Sequence, residues 1–303
     1  MPATDQRNPR QPCPCGSGKR YKACHGATGG AGDVMVIRPY AGLAAEWQLV
    51  ALREFVPSAT APLPLAGPAE REVVLATVLP TAAAGLVRSD GTALVGLQVL
   101  TRSGDVSRDL GRALHWALTA APGALLPAVD PKADEQIRLQ DLLIPNAPLE
   151  VTLYSDFGWW IPGEEPPTGA ATLSLQRANE AIMPTEPIIG DGIEAAYWVD
   201  AGDKAHLRWV RPEPEEELLA ALARLAARNE LDLGDGSRYA GTFRAHGLLV
   251  PVWDLDRERH AREWTKPAEV FALRLRSALA PAPLTDPERR ALRGLRGRQV
   301  TLR

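Results

Sequence analysis

The sequence predicts an α+β fold: a small N-terminal module followed by a larger mixed body of hairpins and helices, in which two related halves are discernible. Three observations lead there. At 303 residues, with 45% hydrophobic and 23% charged residues, the chain can bury one large core or two smaller ones. Short apolar strand-like runs, several joined by Gly- and Asp-containing turns, alternate with amphipathic helical runs, the pattern of a mixed body. The three cysteines are confined to residues 13–24, which sets residues 1–30 apart from the rest.

Charge follows the same division. The formal net charge of −3 conceals +4 over residues 1–30, −11 over 31–284 and +4 over 285–303. An acidic body repels phosphate, which excludes a general nucleic-acid binder; nucleic acid is expected to touch the basic ends only. The longest uncharged run, 113–129, is broken by Pro122, Gly123 and Pro127. A spanning helix needs about 20 mostly apolar residues, so no membrane span is expected. The polar, Pro-rich start does not resemble a signal peptide, and three clustered cysteines do not make a disulfide framework. These features predict a cytoplasmic protein.

The first element is CPCGSGKRYKACHG, residues 13–26. Cys13 and Cys15 are one residue apart, and Cys24 and His25 are adjacent after eight intervening residues. Three thiols and an imidazole in two pairs are the donor set of a tetrahedral structural zinc, and four protein ligands leave no open coordination position for catalysis. Gly16 and Gly18 permit the tight reversal that returns the second pair to the first, while Pro12 and Pro14 stiffen the approach. So short a segment has no core of its own, and metal binding, worth roughly 10–16 kcal/mol in comparable finger peptides, would supply its folding energy. A redox pair would favour Cys-x-x-Cys opening a helix, which this is not.

These fourteen residues resemble the SEC-C motif, the zinc-binding module found at the C-terminus of the preprotein translocase ATPase SecA, and differ mainly by Arg20 and Ala23. The resemblance implies that Cys13, Cys15, Cys24 and His25 hold one structural Zn2+. It also implies a basic contact face of Lys19, Arg20 and Lys22, with Tyr21 packed beside it, that docks a chaperone- or ribosome-like protein partner. It does not extend to the ATPase, because no G-x-x-x-x-G-K-[ST] occurs. The whole arrangement is similar to uncharacterised actinobacterial proteins in which an N-terminal SEC-C motif precedes a domain of unknown function.

Residues 27–33 read as a Gly-rich linker. A helix is expected over 44–55, with Leu49, Leu52 and Phe55 on one face, then a Pro-rich connection over 57–68. Strand-like runs follow at 73–79, 84–87 and 93–100, the last two flanking the turn signal Ser89-Asp90-Gly91. A helix is expected over 106–120. The IPGEEPPT stretch, 161–168, divides a first half (31–165) from a second (166–284). There, strands at 195–200 and 205–210 flank 201–203, and a helix over 213–228 opens on Glu213, Glu215, Glu216 and Glu217, the sense the helix dipole favours. Strands at 239–244 and 248–253 and a helix near 268–279 complete this half. Thr285-Asp286-Pro287-Glu288 is a capping-box start for the basic C-terminal helix or tail, 285–303.

Asp156-Phe157-Gly158 copies the kinase metal-binding tripeptide, but Trp159 and Trp160 follow and no companion kinase motif exists, so a hydrophobic turn is expected. His115 is expected to pack in the core, and His206 has no visible partner. The densest titratable set is Asp254, Asp256, His260 and Glu263, with His246 just before it. Two carboxylates leaving one strand end could form a metal or acid/base pair. The leading expectation is a zinc-binding adaptor that works by protein–protein contact. The alternative is a metal-dependent or acid/base hydrolase, acting on a phosphorylated or nucleotide substrate through His246, Asp254, Asp256 and His260.

Overall fold

Helix α1 (Glu46–Glu54) buries Leu49, Val50, Ala51 and Leu52 and delivers the chain to the first of two sheets. The computed structural model describes residues 35–130, 137–161, 169–279 and 282–297. The N-terminal module, its linker and all but the first residue of the expected dividing stretch, 161–168, lie outside these residues. The segment expected as a Pro-rich connection contains strand β1 (Ala59–Pro62), with Ala59 and Ala61 buried. Its one proline is its last residue, where a missing N–H least disturbs the ladder.

Strands β2 (Val73–Ala76), β3 (Gly85–Val87) and β4 (Ala93–Gly96) follow, then helix α2 (Val106–Thr119), β5 (Leu125–Leu126), the one-turn α3 (Leu139–Leu142) and β6 (Thr152–Leu153). The sheet order is β5-β3-β4-β2-β1-β6, antiparallel except for the parallel pair β2–β4. The strands expected over 73–79 and 93–100 stop at Ala76 and Gly96. At Thr77 the hydroxyl takes over from the backbone carbonyl, accepting from the Ala59 amide (3.0 Å) and donating to the Pro57 carbonyl (2.9 Å), and at Gly96 a side chain would lie 2.4 Å from the Ala83 carbonyl oxygen.

Helix α4 (Ala170–Glu180) leads to the second sheet, built from β7 (Thr185–Pro187), β8 (Ala196–Asp200), β9 (Ala205–Trp209), β10 (Ser237–Ala245) and β11 (Leu248–Leu255). Its order is β10-β11-β9-β8-β7, antiparallel throughout. Helix α5 (Glu215–Ala227) joins the two hairpins, and α6 (Thr265–Ala278) and α7 (Asp286–Arg296) follow. The body is therefore α+β. The hairpin pairs of the two sheets share one spatial order, β1-β2-β4-β3 and β8-β9-β11-β10, but their central strands run parallel in the first and antiparallel in the second.

Strand alternation sends opposite faces of the second sheet into different cores. Trp209 and Trp253 pack with α5 and α6, where Trp264 and Phe271 complete an aromatic centre. Tyr197, Val199 and Val250 point the other way, into the cluster formed by α1, α2 and the first sheet. The two expected halves thus share a core.

Trp159 and Trp160 lie in a short 3-10 turn, their indole N–H groups donating to Ser58 Oγ (2.8 Å) and the Val78 carbonyl (3.0 Å). Asp156 Oδ1 accepts from the Gly158 amide, so Asp156-Phe157-Gly158 is a turn packed by aromatics. His115, expected in the core, is exposed on α2, since the buried stripe of that helix runs through Leu110, Ala113, Leu114 and Ala117. Among the described residues no helix is long and apolar enough to cross a membrane.

Candidate functional site

Cys13, Cys15, Cys24 and His25, and the basic face Lys19, Arg20, Tyr21 and Lys22, lie outside the described residues. The second candidate set is described throughout, and the structure takes it apart. His246 occupies the turn between β10 and β11, whereas Asp254 stands near the far end of β11, which runs Leu248–Leu255. Eight residues of extended chain span about 27 Å. Asp256 Oδ1 accepts from the Glu258 amide at 3.0 Å and shapes the loop after β11. Glu263 Oε1 accepts from the His260 amide at 2.9 Å, which caps the short turn Ala261–Trp264. The His260 ring stacks on Trp198 and pairs with Glu186 at 3.2 Å. Among the described residues no three His, Cys, Asp or Glu side chains come together in metal-binding geometry. The charged run at 254–263 serves as turn and cap chemistry, which the sequence could not separate from a convergent site.

Asp254 instead gathers three groups, His206 and Arg238 from the neighbouring strands β9 and β10 and Lys204 from the turn before β9. Lys204 Nζ donates to it at 2.9 Å, Arg238 donates to the same oxygen at 3.0 Å, and His206 Nδ1 lies 3.3 Å from its other oxygen. Burial pushes this carboxyl up, but the hydrogen bonds from Lys204 and Arg238 outweigh it and hold the group below the ordinary carboxylate range. His206 thereby gains the partner that its sequence context concealed. Its Nδ1 is close to Asp254 but poorly aligned, and makes no hydrogen bond. Burial, with Arg208 nearby, holds its pKa below the ordinary histidine value.

His246 has a different partner, 192 positions away: its Nε2 lies 2.8 Å from Oε1 of Glu54, the last residue of α1. The local sequence explains the placement. Ala245 pairs directly with Leu248, so His246 and Gly247 alone form the hairpin loop, both at positive φ (47° and 78°). That is the backbone of a type I′ turn, whose twist matches that of the flanking strands. At Gly247 a side chain would press at 3.0 Å on the Ile37 carbonyl, so the loop can lie against the entering chain. Glu54 is at a helix C-terminus, where the dipole disfavours a carboxylate, and His246 offsets that cost. The hydrogen bond from His246 lowers the Glu54 pKa against burial, with Arg53 and Arg102 adding to the shift.

This pair forms one wall of a cleft of about 530 Å³ whose rim includes Met35, Ile37, Arg102 and Arg244. Arg244 is held by two hydrogen bonds to Glu215. Behind the pair, the Tyr40 ring lies 5.8 Å from the His246 ring and is fully buried, and burial pushes its hydroxyl up to about 12. The arrangement can hold a proton between an imidazole and a carboxylate beside an arginine-bearing opening. The sequence marked His246 but offered no means of finding Glu54 or Arg102, because a hairpin turn and a helix end meet only through tertiary packing.

A family model described as a family of unknown function, DUF5926, matches residues 39–303, and a SEC-C motif model matches residues 10–27. No curated protein and no solved structure matches the chain.

Proposed function

The chain belongs to the DUF5926 family of unknown function, and from that premise we propose that it acts in the cytoplasm as a zinc-stabilised interaction protein, its SEC-C module docking a chaperone- or ribosome-like partner. The observation that carries this reading is the SEC-C match over residues 10–27, which contains all three cysteines of the chain. The donor chemistry fits a zinc ion. Cys13, Cys15 and Cys24 as thiolates and His25 as a neutral imidazole complete a closed four-coordinate set. Bound there, zinc supplies cross-linking and folding energy, and reaction chemistry is not its role. Lys19, Arg20 and Lys22 supply three positive charges between the two ligand pairs, suited to an acidic protein surface or ribosomal phosphate.

Metal analysis of the purified chain is expected to give one zinc per molecule, lost in a Cys13→Ser, Cys15→Ser double variant. Natively prepared protein without metal and with freely reactive thiols would refute the zinc assignment. Co-sedimentation with ribosomes and affinity capture of chaperones are expected to fail when Lys19, Arg20 and Lys22 are changed to Glu. Unchanged capture by that variant, with zinc retained, would remove the docking face.

A further inference from the structure

The cleft of about 530 Å³ beside His246 and Glu54 is lined by two chemically different sets of residues, and its size is that of a small-molecule pocket. One set is apolar. The chain enters the body as Met35-Val36-Ile37, and Met35 and Ile37 stand 76% and 75% exposed at the cleft, with Val106 and Ala245 adding to the lining. Large apolar side chains held in water at a cavity favour a covering group, by about 25 cal/mol for each Å² removed from solvent. The other set is polar and consists chiefly of Arg102, Glu54, His246 and Arg244.

The polar set is held in place before any ligand arrives. Arg102 precedes Ser103, whose amide and hydroxyl both donate to the Asp109 carboxylate of α2 at 2.7 Å. Asp109 and Ser103 are 7% and 6% exposed, so a buried carboxylate fixes the surface loop from which Arg102 projects. The Gly104 carbonyl accepts from the Val36 amide at 2.8 Å, which ties the entering chain to the same loop. His246 is fixed by its two-residue hairpin loop and by Glu54. Facing a carboxylate, Nε2 carries the proton, and in the neutral ring Nδ1 is then an acceptor. Nδ1 has no hydrogen-bond partner among the described residues and is not sealed from solvent. The charges leave one cation over. Arg244 is engaged by Glu215 and Glu54 by His246, whereas Arg102 makes neither an ion pair nor a hydrogen bond among the described residues.

We propose that this cleft binds a small hydroxylated monocarboxylic acid with an apolar body: the carboxylate lies on the Arg102 guanidinium, the hydrocarbon covers Met35 and Ile37, and the hydroxyl donates to His246 Nδ1. The planar fork of a guanidinium meets both oxygens of a carboxylate at once. A single uncompensated cation suits a single negative charge, and a phosphate would bring a second one towards Glu54. The site is separate from the SEC-C module and does not depend on the function proposed above.

The test is calorimetric titration of the full zinc-loaded chain, at constant pH and ionic strength, with hexanoate, its α-hydroxy derivative, hexanol and inorganic phosphate. Both acids are expected to bind saturably, the hydroxy acid several-fold more tightly, with hexanol and phosphate weaker than hexanoate by about tenfold or more. Arg102 is exposed, so Arg102→Gln leaves the core intact, and it is expected to weaken both acids about tenfold or more. His246→Asn, which suits the left-handed turn position, is expected to remove the advantage of the hydroxy acid over hexanoate, and His246→Gly replaces it if that variant does not fold. No saturable binding of either acid, hexanol or phosphate binding as tightly as hexanoate, or unchanged acid affinity in Arg102→Gln would overturn the proposal. A hydroxy-acid advantage that survives in the folded His246 variant would overturn the place given to the hydroxyl.

Discussion

Glu54 and His246 show how much a single contact decides. The folded-state pKa of Glu54 is depressed, chiefly by the hydrogen bond from His246. The pair therefore contributes stability that is fully present above the ordinary glutamate range and lost as pH falls below that range through the folded value. Replacing Glu54 by Gln should leave the protein less stable at neutral pH yet flatten its acid limb, so that wild type and variant converge in urea midpoint only once the pH has fallen below the ordinary glutamate range. Parallel acid limbs would show that the pair carries no linkage. At Gly111 the intrinsic preference and the packing oppose each other. Alanine is the better helix former by up to about 1 kcal/mol. Yet a Cβ at Gly111 would sit 2.7–2.9 Å from the backbone of residues 137–139. Gly111→Ala is thus expected to destabilise the protein, by an overpacking cost of about 1–3 kcal/mol, and a gain in denaturation midpoint would contradict the close approach.

Among the elements, α2 and α7 are held at their ends by different means. Asp105 caps α2 by accepting from the amides of Ser107 (3.1 Å) and Arg108 (3.2 Å). Asp105→Ala should cost about 1 kcal/mol in equilibrium unfolding, the ordinary value of an N-cap. Helix α7 has a capping box from Thr285 and Glu288, as its sequence suggested. The basic sequence did not reveal where the helix rests. Leu295 is 4% exposed in the α5–α6 core, and Arg296 pairs with Glu216 in the acidic first turn of α5 at 2.5 Å. The apolar contact should outweigh the ion pair, since surface pairs contribute at most about 1 kcal/mol and a buried leucine about 2–5. Leu295→Ala should therefore lower stability several times more than Arg296→Ala in matched urea titrations. Equal losses would mean that charge holds the helix.

For the whole molecule, the shared core has a thermal consequence. Tyr197, Val199 and Val250 of the second sheet pack in the same cluster as Leu49 and Phe55 of the first half. Residues 35–297 should then melt in one cooperative transition, with calorimetric and van't Hoff enthalpies in agreement. Two resolved transitions would show the sheets to be independent.

The sequence by itself determined the class and most of the elements, because these follow from short-range periodicity. The helices at α1, α2, α5 and α6 and both hairpins of the second sheet lie within a few residues of expectation. So does the acidic start of α5, and the SEC-C motif was legible because its donors are close in the chain. Strand β1 was hidden by the prolines at its end and on either side of it, and β5, β6 and β7 are too short to show a period. The tertiary structure alone decided which charges meet. It paired Asp254 with Lys204, His206 and Arg238, and sent His246 to Glu54. Such pairings depend on which strands become neighbours and which face each side chain takes, and those choices are made by burial across the whole body rather than by any local run of residues.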